Sequence, residues 1–161
     1  MSSLNGMSSI RTQRLFFRRV GEALAPYQLI EALLKLYVER AHLKIERLLA
    51  LRVPFHYPRS EYENAPLDRL ITLFQRHSNN KQLITRLRGA TKARNYIAHR
   101  VIEDYMDHHE KDPKQARVIS RQLKKAENDG YDLVEDFFKE LRTFHNLDDF
   151  VREVLDKRRT I

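Results

Sequence analysis

The sequence predicts an all-α protein, an up-and-down bundle of five or six helices. Three observations predict it. Gly 4 and Pro 5 in 161 residues leave few chain breaks. The chain is rich in Leu, Ala, Glu, Lys and Arg, all good helix formers. Apolar residues recur at helical spacing, as in Ile30, Leu33, Leu34, Tyr37, Ala41, Ile45, Leu48 and Leu49. The length suits one core, so residues 1–161 read as a single domain. Residues 1–8 and 159–161 read as frayed tails.

The first helix is expected from Ser9 to about Leu24. It holds "IRTQRLFFRRV", with four arginines and no acid before Glu22. A mitochondrial presequence can look like that, but the pattern runs on into the next helix, which favours a basic first helix. Pro26 suits either the first turn of a second helix or a kink in one long helix. "RVPFHYPRSEYENAP", with three prolines, reads as a loop of about 14 residues, long for a compact domain. A short helix from Pro66 to His77 follows. Ser78 or Asn79 can cap the next one, Asn80 to His109. Asp112 then caps a helix that Pro113 starts and "NDG" ends. The last helix runs from Tyr131 to Arg158. Its Phe137, Phe138, Leu141, Phe144 and Phe150 are expected to pack in the core, or at a dimer surface.

With no cysteine, disulfides, zinc–thiolate sites, iron–sulfur clusters and thiol nucleophiles are excluded. That fits a reducing cytosol. Charges interrupt every apolar run before it reaches membrane-spanning length, and the N-terminus has no secretory apolar segment. The net charge of +8 points to a polyanionic partner, nucleic acid before membrane. Much of it concentrates in Lys81–Arg100, where Lys81, Arg86, Arg88, Lys92, Arg94 and Arg100 occur with no acid. By itself such a block is most simply a solvated face.

Within that block lies "KARNYIAHR". The apolar stripe of this helix is Leu83, Leu87, Ala90, Ile97, Val101 and Tyr105, and Arg94 fills its one gap of seven. A charge buried without a partner costs several kcal/mol. Arg94 is therefore expected either in an ion pair, with Glu31, Glu39 or Glu46, or at the edge of a cleft or dimer seam. His99 lies about 140° around the helix from Arg94, and Asn95 shares a face with His99. His moves protons near neutral pH, and Arg holds phosphate and stabilises charge developing on it. Those are the groups that phosphodiester chemistry needs. The spacing alone leaves open the plainer reading, with Arg94 in a salt bridge and His99 on the surface.

"RNYIAH" resembles the R-N-x-x-x-H signature of HEPN domains, with an apolar helix running directly into the motif as in that family. The resemblance implies a helical bundle acting as a homodimer, with the motifs of both copies facing one cleft. It implies a metal-independent endoribonuclease of the toxin or phage-defence kind, cytoplasmic and without cofactor. Arg94 and His99 would be catalytic and Asn95 a supporting polar residue. The RNA 2′-OH would attack, leaving a 2′,3′-cyclic phosphate and a 5′-OH. The partners would be RNA, a second copy and an antitoxin or defence-system protein. Lys81, Arg86, Arg88, Lys92 and Arg100 are the expected RNA contacts of the basic block. The chain departs from the family at Val101, where some toxins carry a tyrosine that a partner enzyme modifies. Some members lack nuclease activity, so the alternative is a non-catalytic module binding RNA or a protein.

Other constellations are weaker. Glu39 and His42 have the Glu-x-x-His spacing of di-iron bundles but no second copy. His108 and His109 suit a solvated helix end, and His145 with Asp148 and Asp149 a polar patch. There is no phosphate-cradling glycine loop and no nucleophile elbow.

Overall fold

The computed structural model describes residues 3–49, 54, 56–108 and 111–159, and side chains within 11–146. The protein is all-α, as predicted. Six helices are described, α1 (Ser3–Leu49), α2 (Ser60–Glu63), α3 (Leu67–Gln75), α4 (Lys81–His99), α5 (Val101–His108) and α6 (Pro113–Arg159). No strand occurs among the described residues. The chain divides into two compact units. One is Met1–Leu29 with Gly89–Asp132, the other Ile30–Arg88 with Leu133–Ile161.

In the first unit, α1 buries Phe16, Val20, Ala23 and Tyr27. They pack with Ile97, Val101, Tyr105, Ile119 and Leu123 as the unit's apolar core. Phe16 stacks on Tyr105 with ring centroids 3.6 Å apart. The Tyr27 hydroxyl donates to the Ala126 carbonyl at 3.0 Å. Asp112 caps α6 as expected, its Oδ1 accepting from the Lys114 and Gln115 amides at 3.0 and 3.2 Å.

Of the two readings of Pro26, the single long helix holds, with Pro26 inside α1, whereas the break expected at "NDG" is absent, since that stretch lies inside α6. The reason joins the two positions. Gly130 is buried, and a Cβ placed on it would sit 2.7 Å from Pro26 Cγ and 2.9 Å from Pro26 Cβ. Gly130 has no left-handed backbone, so here glycine serves close approach and not a turn. The proline ring is packed against α6, and the helix continues past it. α1 also starts earlier than expected, at Ser3, because no proline stops the ladder within residues 3–8. Residues 1, 2, 160 and 161 lie outside the described residues.

The second unit centres on Tyr37, Phe74 and Phe137. Phe74 sits 4.7 Å from the Tyr37 ring and 5.2 Å from that of Phe137. The α4 cap is Asn80, one residue beyond the expected positions. Asn80 Oδ1 accepts the Leu83 amide at 3.0 Å. Ser78 Oγ instead accepts the Asn80 amide and donates to Glu140, which also accepts from Asn80 Nδ2. The expected loop contains α2, whose Tyr62 is buried; Arg59 just before it pairs with Glu39 at 2.6 Å. The apolar stripe of α1 fades at its end, with Leu48 exposed, and Phe138 on α6 is exposed as well. Phe144 is half-buried under the Lys44 ammonium, 3.4 Å from its ring centre. The side chain of Phe150 lies outside the described residues.

His42 Nε2 and His77 Nε2 approach to 3.1 Å, so one ring donates and the other accepts. Burial lowers the His42 pKa, and His77 lowers it further against an opposing Glu61. Burial and Arg76 lower that of His77. Both folded values lie below the unfolded value of about 6.5. Below that pH the unfolded chain binds more protons than the folded one. Stability is therefore full above about pH 6.5 and falls as the pH drops through it. The melting temperature is expected to fall between about pH 7 and about pH 5, and less so in His42→Gln. An equal fall in both proteins, followed by circular dichroism, would contradict this assignment.

Candidate functional site

The motif belongs to the second half of α4, within the first unit. Helical rise carries Ile97 into the core and turns Asn95 and His99 to solvent on adjacent turns of one side. Lys92 is exposed on that side too. Arg94 is half-buried. The gap it fills in the stripe is shared by Thr91, which is 6% exposed. Arg94 Nη1 donates to Asn95 Oδ1 at 3.3 Å. That contact ties the guanidinium to the Asn95 side chain. Of the three acids weighed for Arg94, Glu39 pairs with Arg59 and Glu46 approaches His56 at 3.5 Å.

The helix expected over Asn80–His109 is interrupted at one residue, Arg100, immediately after His99. The interruption is local, because the Arg100 amide still donates to the Tyr96 carbonyl at 2.9 Å, and the Asp104 amide to the Arg100 carbonyl at 3.0 Å. Fully buried Val101, and Tyr105 stacked on Phe16, anchor α5 in the core of the first unit. A side-chain clasp spans the interruption. The Tyr96 hydroxyl donates to the Asp104 carboxylate, and burial together with that acid pushes the phenol up to about 12. This clasp was missed in the sequence. Its only signal is a Tyr and an Asp about two helical turns apart. Tyr96 also lines a groove of about 550 Å³ between α4 and α6, with Ala93, Gln122, Lys125 and Asp129.

The basic block divides. Lys92 and Arg100 are exposed in the first unit. Lys81, Arg86 and Arg88 are exposed in the second. There Arg86 forms an ion pair with Asp136, and Arg88 donates to Gln75 Oε1 at 2.7 Å.

The weaker constellations resolve separately. Glu39 and His42 point to different partners, Arg59 and His77. His108 Nδ1 lies 2.7 Å from the Asp104 carbonyl. His145 lines a groove with Arg40, Phe138 and Arg142. His109 and the side chains of Asp148 and Asp149 lie outside the described residues. Among the described residues there is no group of three possible metal ligands, and no helix is long and apolar enough to cross a membrane.

No family model, no curated protein and no solved structure matches the chain.

Proposed function

We propose that this protein is a HEPN-type endoribonuclease, a cytoplasmic toxin or phage-defence effector that works as a homodimer. The observation that carries the reading is the motif's local geometry. Arg94 contacts the Asn95 side chain, and Asn95 and His99 are exposed on one side of α4 in the order of the R-N-x-x-x-H signature. The all-α fold and the exposed Lys92 and Arg100 beside the motif support it.

In this reading one His99 ring takes the proton from the RNA 2′-OH, whose oxygen attacks the adjacent phosphorus. Arg94 donates to the non-bridging oxygens as negative charge builds there. The bond from phosphorus to the 5′-oxygen breaks, and that oxygen is protonated by a histidinium. The imidazole of the second copy's motif suits this last role. The products are a 2′,3′-cyclic phosphate and a 5′-OH, with no water consumed in the step. DNA has no 2′-OH and is not cut.

The test is incubation of the purified protein with RNA, and with DNA of the same sequence, in EDTA. Cleavage of RNA alone supports the reading. Binding of both without cleavage of either would favour the non-catalytic module.

A further inference from the structure

The first unit carries a second basic feature, away from the motif helix. A groove of about 550 Å³ runs between α1 and the first half of α6. Arg18 and Arg19 line one wall; Arg117, Arg121 and Lys124 line the other. Two carboxylates share the groove, and each is taken. Glu22 pairs with Arg18 at 3.2 Å, and Glu127 with Lys124 at 3.0 Å. That leaves Arg19, Arg117 and Arg121, all exposed and with no acid partner among the described residues. On α6, Arg117, Arg121 and Lys124 follow spacings of four and three, so they stand on one face. Like charges gathered in a concave surface repel one another in the free protein, and a polyanion relieves that repulsion.

We infer that this groove binds the phosphate backbone of a nucleic-acid strand, with Arg19 on one wall and Arg117 and Arg121 on the other. A guanidinium offers a planar fork of donors that matches two phosphate oxygens. The groove reads phosphate and not the 2′-OH, so it takes RNA and DNA alike. It stands whether or not His99 cleaves. The groove fits a strand better than an anionic membrane. A membrane-binding helix presents an apolar face to the bilayer beside its cations. Phe16, Val20 and Ala23 of α1 are used in the core, and the apolar side chains left exposed near the groove, Leu15, Phe17 and Val118, are not among those that line it. The basic "IRTQRLFFRRV" stretch thereby gains a role: its arginines complete a site whose other wall lies about a hundred residues further along the chain.

The test is fluorescence anisotropy of a labelled single-stranded oligonucleotide, RNA or the matching DNA, across a salt series. The proteins are wild type, the triple variant Arg19→Ala, Arg117→Ala, Arg121→Ala, and the matching triple lysine variant. Three lost phosphate contacts lower the slope of log affinity against log salt by about 2, at roughly 0.7 per contact on single strands. Affinity at low salt falls at least about tenfold. Both nucleic acids are affected equally. The lysine variant keeps the charge and the slope, and it guards against loss of fold, as does circular dichroism. A slope unchanged in the alanine variant overturns the inference, as does a wild type that binds neither oligonucleotide. A variant that loses only binding to phosphatidylserine vesicles assigns the groove to a membrane and overturns it too. The nuclease reading is tested apart, by RNA cleavage in His99→Ala beside wild type.

Discussion

Alanine at His99 is expected to slow RNA cleavage by about 10²–10⁴-fold, the usual range for loss of a general acid or base. The fold should be untouched. His99 is exposed at the last turn of α4, and surface changes of that kind usually shift stability by no more than about 0.5 kcal/mol. Arg94→Lys is expected to slow the same step while keeping the charge, since a lysine offers no planar fork to the phosphate oxygens. Single-turnover rates on a defined RNA, read beside thermal melts, separate chemistry from folding. If His99→Ala cuts as fast as wild type, the activity belongs to other residues or to a contaminant.

Gly130→Ala is expected to destabilise the protein although alanine is the better helix former. In an open helix the change would gain about 1 kcal/mol. Here the new methyl meets the Pro26 ring at 2.7 Å, and a proline ring held in helical backbone cannot swing aside. Overpacking of this kind typically costs about 1–3 kcal/mol, so the net effect is a loss of up to about 2 kcal/mol. Pro26→Ala removes the obstacle and restores the missing helix hydrogen bond. In that background Gly130→Ala should become neutral or stabilising. A double-mutant cycle in urea measures the coupling. Gly130→Ala stabilising the otherwise wild-type chain would show that the two helices do not approach as described.

That contact also shows where the sequence was readable. The all-α class followed from composition and period, and both signals are local. Asp112 and Pro113 gave the start of α6 because a cap acts within one turn. Pro26 left two readings open and Gly130 misled, for the opposite reason. Each is a helix breaker by local preference, and each lies inside a 47-residue helix. What overrides the preference is their mutual contact, about a hundred residues apart in sequence, which no window of sequence contains. The expected count of five or six met the six described helices only by cancellation, since α1 and α6 each merged two expected segments while α2 and the interruption at Arg100 added two, so the boundaries were not legible.

The site divides in the same way. Asn95 and His99 sharing one side follows from a spacing of four, and the structure agrees. The contact of Arg94 with Asn95 depends on a rotamer, which spacing does not set. The Tyr96–Asp104 clasp joins α4 to α5 across the interruption at Arg100, which sequence periodicity ran straight through. The arginine groove assembles from two distant basic stretches, "IRTQRLFFRRV" and "KQARVISRQLKK", and only the fold brings them together.

The most direct test of the central claim is the chemistry of the cut ends. RNA cleaved by the wild-type protein in EDTA is mapped for its termini, beside an RNA with one 2′-deoxy nucleotide at the cut position. The reading requires 2′,3′-cyclic phosphate and 5′-OH ends, and no cut at the deoxy position. Ends carrying 5′-phosphate, or cleavage at the deoxy position, would contradict it.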